Sequence, residues 1–191
     1  MLRELKACPE KARKTVIMFA DAVHLLHATV PGKIYMRKGT QKMIPTASGR
    51  KRLTILGALE RGEHRLTRLA TAATCNFKMV IRFCDKLLGA YADKARIIVI
   101  LDNATYFHAK LVSQHILGTA IEFWFLPSSS PNLNLIERLW KFAKGKLVKD
   151  HYYPTFGAMQ RAAQRLCANL SAHESELASL LTDKFRILKY G

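Results

Sequence analysis

Acidic side chains are scarce in this sequence. Fourteen Asp and Glu stand against 31 Lys and Arg among 191 residues, leaving a formal net charge of +17 and a pI near 10.1. Such a surface draws polyanions, with binding that weakens steeply as salt rises. Charge names a class of partner and not an act, so a merely soluble or ribosome-associated basic protein fits this much as well as a DNA enzyme does. Cysteine is thin too: Cys8, Cys75, Cys84 and Cys167 have neither the close pairing of a zinc site nor the density of a disulfide scaffold. Their pattern suggests a reducing cytoplasm. No apolar run approaches the roughly 18 residues that a membrane span requires, and the opening Met1-Leu2-Arg3-Glu4-Leu5-Lys6 lacks the apolar core of a signal peptide. Internal repeats and low-complexity segments are also missing. The length suits one domain with a full hydrophobic core.

What is present organises around residues 97–149. Ile97-Ile98-Val99-Ile100-Leu101 runs without a break into Asp102-Asn103, and a β-branched run of that kind reads as a strand buried on both faces, in the middle of a sheet. Chemistry in such sheets gathers at the carboxyl ends of the strands, where Asp102 stands. A second run, Val16-Ile17-Met18-Phe19-Ala20, ends on Asp21, an odd choice after bulky apolar residues. If the two strands are neighbours, Asp21 and Asp102 lie about 5 Å apart. Further on, Ser128 to Asn134 opens a helix whose stripe Ile136, Leu139, Trp140, Ala143 and Leu147 leaves Glu137 on its flank. Strand Ile121–Leu126 returns the chain to the same edge, so Glu137 faces Asp102 across a cleft.

The remaining elements follow in order. Residues 1–15 read as a linker or lead-in segment, and 16–191 as one domain. Ile34-Tyr35-Met36 and Lys51 to Leu59 read as strands, the second half-buried with Leu53, Ile55, Gly57 and Leu59 on one face. Two basic clusters on turns, Arg37-Lys38 and Arg50-Lys51, are candidate phosphate contacts or solvated loop ends. Asn76 caps a helix whose apolar residues run from Phe77 to Tyr91, a short helix around His108 to Leu117 stops at Gly118, and two amphipathic helices, Phe156 to Leu170 and Leu177 to Leu188, close the chain. The expected fold is α/β: three meandering strands, then two joined through helices, in a mixed five-stranded sheet flanked by helices.

Singly, each acid has a structural alternative. Asp21 and Asp102 suit turn caps, while Glu137 stands at capping-box distance from Asn134 and four residues before Lys141, as in a helix ion pair. Together, three converging carboxylates repel one another unless a cation sits between them. An all-oxygen set suits Mg²⁺ or Mn²⁺, and two such ions about 4 Å apart stabilise the attacking and leaving oxygens of a phosphodiester displacement. Arg138, Lys141, Lys144, Lys146 and Lys149 are candidate phosphate grips or a solvated helix face. His24 and His27 read as bystanders near the acids, His108, His115 and His151 as surface or packing residues, and Trp124 and Trp140 as core aromatics.

The segments Phe19-Ala20-Asp21-Ala22-Val23-His24, Leu101-Asp102-Asn103-Ala104 and Phe125-Leu126-Pro127-Ser128-Ser129-Ser130-Pro131-Asn132-Leu133-Asn134-Leu135-Ile136-Glu137-Arg138-Leu139-Trp140 closely resemble the catalytic (DDE) domain of mariner-like transposases, in particular their bacterial insertion-sequence branch. Leu25 and Leu135 stand where many members have an aromatic residue and a proline. The resemblance implies an RNase H-like fold, with Asp21, Asp102 and Glu137 as a triad holding two Mg²⁺ or Mn²⁺ ions. It implies cleavage of double-stranded DNA at transposon ends and attack of the freed 3′-hydroxyl on target DNA, in a bacterial cytoplasm near the nucleoid. Members usually carry an N-terminal helix-turn-helix domain that reads the ends. No such pattern precedes the core here, so a homodimer or an upstream helix-turn-helix protein is an expected partner. The alternative expectation is a truncated, non-catalytic DNA-binding relic that regulates an intact transposase.

Overall fold

The computed structural model describes residues 14–28, 37–39, 51–127, 133–149 and 151–182. Strands β1 (Thr15–Leu26), β2 (Arg52–Glu60), β3 (Leu66–Thr71), β4 (Arg96–Leu101) and β5 (Ile121–Phe125) form one sheet in the order β3-β2-β1-β4-β5. The first three make an antiparallel meander, and β4 and β5 run parallel to β1. Helices α1 (Phe77–Ala90), α2 (Lys110–Ile116), α3 (Leu135–Leu147), α4 (Phe156–Ala168) and α5 (Glu174–Leu180) flank it. This is the mixed five-stranded α/β sheet expected of an RNase H-like domain.

Side chains alternate across the sheet with period two, and each face buries its own core. Phe19, Val23 and Leu25 of β1 pack with Leu53, Ile55 and Leu59 of β2 under α3, α4 and α5, with Leu139, Trp140, Met159 and Leu177 above them. Val16, Met18 and Ala20 face the other way, against Val80, Phe83 and Leu87 of α1 and Val112 of α2. Helix α1 starts where the Asn76 side chain accepts from the Met79 N–H at 3.1 Å, and Gly118, at φ +77°, takes the left-handed turn after α2.

Four sequence expectations change. The central strand is β1, with β4 between it and β5. β1 does not stop at Asp21: the hairpin with β2 keeps pairing as far as Leu26 opposite Arg52. β2 is buried on both faces rather than one, because Leu56 and Ala58 meet the α1 layer while Leu53 and Ile55 meet the α3 layer. The meander's third strand is Leu66–Thr71, an edge strand that the sequence reading passed over. Strand Ile34–Met36, Arg50, Cys8, the lead-in up to residue 13, the loop 128–132, and Phe185 and Leu188 lie outside the described residues.

Candidate active site

The parallel ladder between β1 and β4 ends with Phe19 opposite Ile100. Continuing that register two residues past its last pair would bring Asp21, within β1, level with Asp102, just beyond β4, about 5 Å apart at the backbone. β4 finishes at Leu101 while β1 continues along β2. A notch therefore opens at the carboxyl end of β4, with β1 as its floor. Asp21 Oδ1 accepts from the Ala22 N–H at 2.7 Å, and Asp102 Oδ1 from the Ala104 N–H at 3.3 Å. Each Asp keeps its second oxygen out of these bonds. The Asn103 amide donates to the Leu126 carbonyl at 2.8 Å, tying the ends of β4 and β5 together.

The third acid comes from α3. Leu135, Ile136, Leu139, Trp140, Ala143 and Leu147 are buried along the helix, which leaves Glu137 half-buried beside the notch. The capping-box alternative for Glu137 does not form: the Asn134 side chain makes no cap hydrogen bond and instead donates Nδ2 to the Ala20 carbonyl at 3.2 Å. Asn134 is 1% exposed, and its Oδ1 has no partner. The first turn of α3 is thus bolted to the residue before Asp21. Gly57 lies opposite Asp21 on β2, and the Trp140 ring lies over it; a Cβ there would come within 2.8 Å of the ring. No ion pair joins Glu137 to Lys141 among the described residues.

Asp21, Val23, His24, Glu137, Lys141 and Lys144 line a cleft of about 360 Å³. Burial pushes the Asp21 carboxyl up to about 7, and the charges of Asp102 and Glu137 add to the rise, while the Ala22 N–H and the Lys144 ammonium oppose it. Glu137 is raised by burial and by Asp102. His24 is lowered by burial and by the cations Arg52 and Lys144, and its Nδ1 is engaged with the Thr54 hydroxyl at 3.1 Å. Carboxylates that repel one another are the all-oxygen chemistry that suits a hard divalent cation, but Asp102 is not among the residues lining this cleft, and among the described residues no group of three or more His, Cys, Asp or Glu forms a ready ligand shell.

The basic residues separate. Lys141 and Lys144 line the cleft. Arg138 is employed otherwise, donating to the carbonyls of Leu180, at the end of α5, and Thr182 at 3.1 and 2.9 Å, and Lys146 pairs with Glu176 at 2.9 Å. Arg37 and Lys38 are exposed on a turn, and Lys51 is exposed before β2. His27 is buried and bonds the Tyr153 carbonyl, His108 stacks on Phe125 and His115 pairs with Asp85, so all three are structural. Sequence reasoning missed Cys75 and Tyr106, a hydrogen-bonded pair close enough to the acids for Asp21 and Asp102 to raise both groups. Burial is the main cause in each case, with Cys75 reaching about 11. It also missed Gly57 and the tether made by Asn134.

The family model described as DDE superfamily endonuclease matches residues 16–160, about three quarters of the chain. No curated protein matches it. Among solved structures, the Mos1 strand transfer complex is similar at 15% identity and a TM-score of 0.64, over 98% of this chain and 60% of that one. The catalytic domain of Mos1 mariner transposase is similar at 12% identity and 0.60, over 98% and 91%. The Mos1 mariner paired end complex with Mn is similar at 14% identity and 0.60, over 98% and 61%. At these identities the likeness is one of fold, and this chain spans about 60% of the length of the Mos1 chains in the complexes.

Proposed function

Because this chain belongs to the DDE superfamily endonucleases, we propose that Asp21, Asp102 and Glu137 hold Mg²⁺ or Mn²⁺ and cut DNA phosphodiesters at transposon ends, passing the freed 3′-hydroxyl to target DNA. What supports the reading is the parallel pairing of β1 with β4 up to Phe19 opposite Ile100, which leads both segments on to Asp21 and Asp102, with Glu137 raised by burial and by the charge of Asp102. When bound, a pair of such ions stabilises the attacking and leaving oxygens of the displacement. The chain's own residues supply the rest. Asn134 holds α3 against β1 and the Trp140 ring over Gly57 holds it against β2, so that Glu137 keeps its place relative to the two aspartates. Lys141 and Lys144 present ammonium groups to a phosphate entering the cleft. The Mos1 complex with Mn supports the choice of cation, and a homodimer or a helix-turn-helix partner would supply recognition of the ends.

The test is nicking of supercoiled plasmid in Mg²⁺ or Mn²⁺. Wild type should nick and Asp102→Ala should not; cleavage that survives Asp102→Ala sinks the assignment. The open spacing of the carboxylates favours a second reading, a non-catalytic DNA-binding relic. Calorimetry with no heat from Mg²⁺ would select it.

A further inference from the structure

A second cleft, of about 630 Å³, lies at the β3 edge of the sheet between α1 and α4. Arg68, Lys86, Arg161 and Arg165 line it, and among the described residues no carboxylate does. Arg68 stands opposite Gly57, which stands opposite Asp21, so its backbone is two strands, about 10 Å, from the acid notch. Its guanidinium is fixed: Nη1 donates to the Cys167 carbonyl at 3.1 Å and Nη2 to the Gln164 carbonyl at 3.0 Å. Those bonds use two of the five N–H groups of the side chain. Lys86 Nζ donates to the Arg68 carbonyl at 2.8 Å, which sets its ammonium on the backbone of β3.

The arrangement opposes folding. Arg161 and Arg165 are four residues apart on one face of α4, a helix without an acid, and like charges at that spacing repel. Among the described residues no carboxylate pairs with either. Across the cleft, Lys78, Arg82 and Lys86 recur at the same interval along an exposed face of α1. Elsewhere the protein pairs its charges, as in Lys146–Glu176 and Arg96–Glu122. A groove that gathers cations from a strand and two helices, with no carboxylate among the described residues lining it, suits a ligand with repeated negative charge.

We propose that this cleft holds the phosphate backbone of duplex DNA outside the stretch that enters the acid notch. It rests on the proposed function only in taking DNA as the polyanion. The test is anisotropy of a labelled 30-base-pair duplex across a salt series, without divalent ions and in an Asp102→Ala background, so that failure of the cleavage reading leaves the result untouched. Losing two phosphate contacts should lower the slope of log affinity against log salt by about 1.8 in Arg161→Gln/Arg165→Gln, at about 0.9 per contact. Glutamine is a good helix former, so α4 should persist. Lys86→Gln, on another helix, should lower the slope by about 0.9 independently. Lys14→Gln/Lys94→Gln, which removes equal charge at the opposite end of the sheet, should leave the slope unchanged. Equal slope losses in the two double variants, or none in the cleft variants, would overturn the proposal.

Discussion

Replacing Gly57 by alanine drives a methyl group into Trp140. The new Cβ would stand 2.8 and 2.9 Å from two ring carbons and 3.1 Å from a Leu66 methyl. Trp140 is 4% exposed and sits in the core beneath α3 while also lining the acid cleft, so the ring has little room in which to retreat. Overpacking of this kind costs about 1–3 kcal/mol. Alanine also stiffens the unfolded chain, which returns about 0.4–1 kcal/mol, so a net destabilisation of about 1–2 kcal/mol is expected. Urea unfolding should show it as a lower midpoint with an unchanged slope. The ring sits three residues after Glu137, so its displacement shifts the third acid, and plasmid nicking should slow. Trp140→Phe supplies the check: it removes the indole edge, together with a buried Nε1–H that has no partner, and makes room for the methyl. In the Trp140→Phe background the cost of Gly57→Ala should fall by about 1 kcal/mol or more, a coupling typical of side chains in contact. Additive effects, or an unshifted midpoint for Gly57→Ala alone, would refute the packing argument.

Stability should also depend on pH through Asp21. Its folded pKa, about 7 against an ordinary 3.8, favours the protonated form, so the contribution is full below pH 4, declines as pH rises through 7, and is flat beyond. At about 1.4 kcal/mol per pKa unit the cost at pH 8 is capped near 4 kcal/mol, and exposure to the cleft reduces it to about 1–3. Asp21→Asn should therefore match wild type at pH 4 and exceed it at pH 8 by that amount in denaturant unfolding. MgCl₂ should raise the melting temperature of wild type at pH 8 and leave Asp21→Asn unmoved; equal shifts would count against a cation at Asp21. Asn134→Ala strands the Ala20 carbonyl and should cost about 1–3 kcal/mol, with nicking reduced more than plasmid binding. Lys144→Met should raise the Asp21 pKa further, seen as an alkaline shift in that carboxyl's NMR titration.

The acids were legible because each carries a local oddity, a charge ending an apolar run or flanking a helical stripe, and strand ends are where sheets expose chemistry. β3 was not, because an edge strand keeps charged residues such as Arg68 within its alternation, so Leu66–Thr71 shows no apolar run. β1 was cut short for a related reason: Asp21 interrupts an alternation that resumes at Val23 and Leu25. The basic residues of α3 were legible in a way that composition hides. Lys141 and Lys144 follow Glu137 by four and seven residues, which places all three on one face of a 3.6-residue helix and lines the cleft with them. Arg138 follows by one, is turned about 100° away, and meets the carbonyls of Leu180 and Thr182 at the end of α5. Counting cations near an acid therefore overstates a phosphate grip. Their phase on the helix relative to Glu137 separates those that face the notch from those that hold the fold together, and the same phase joins Arg161 to Arg165 over the second cleft.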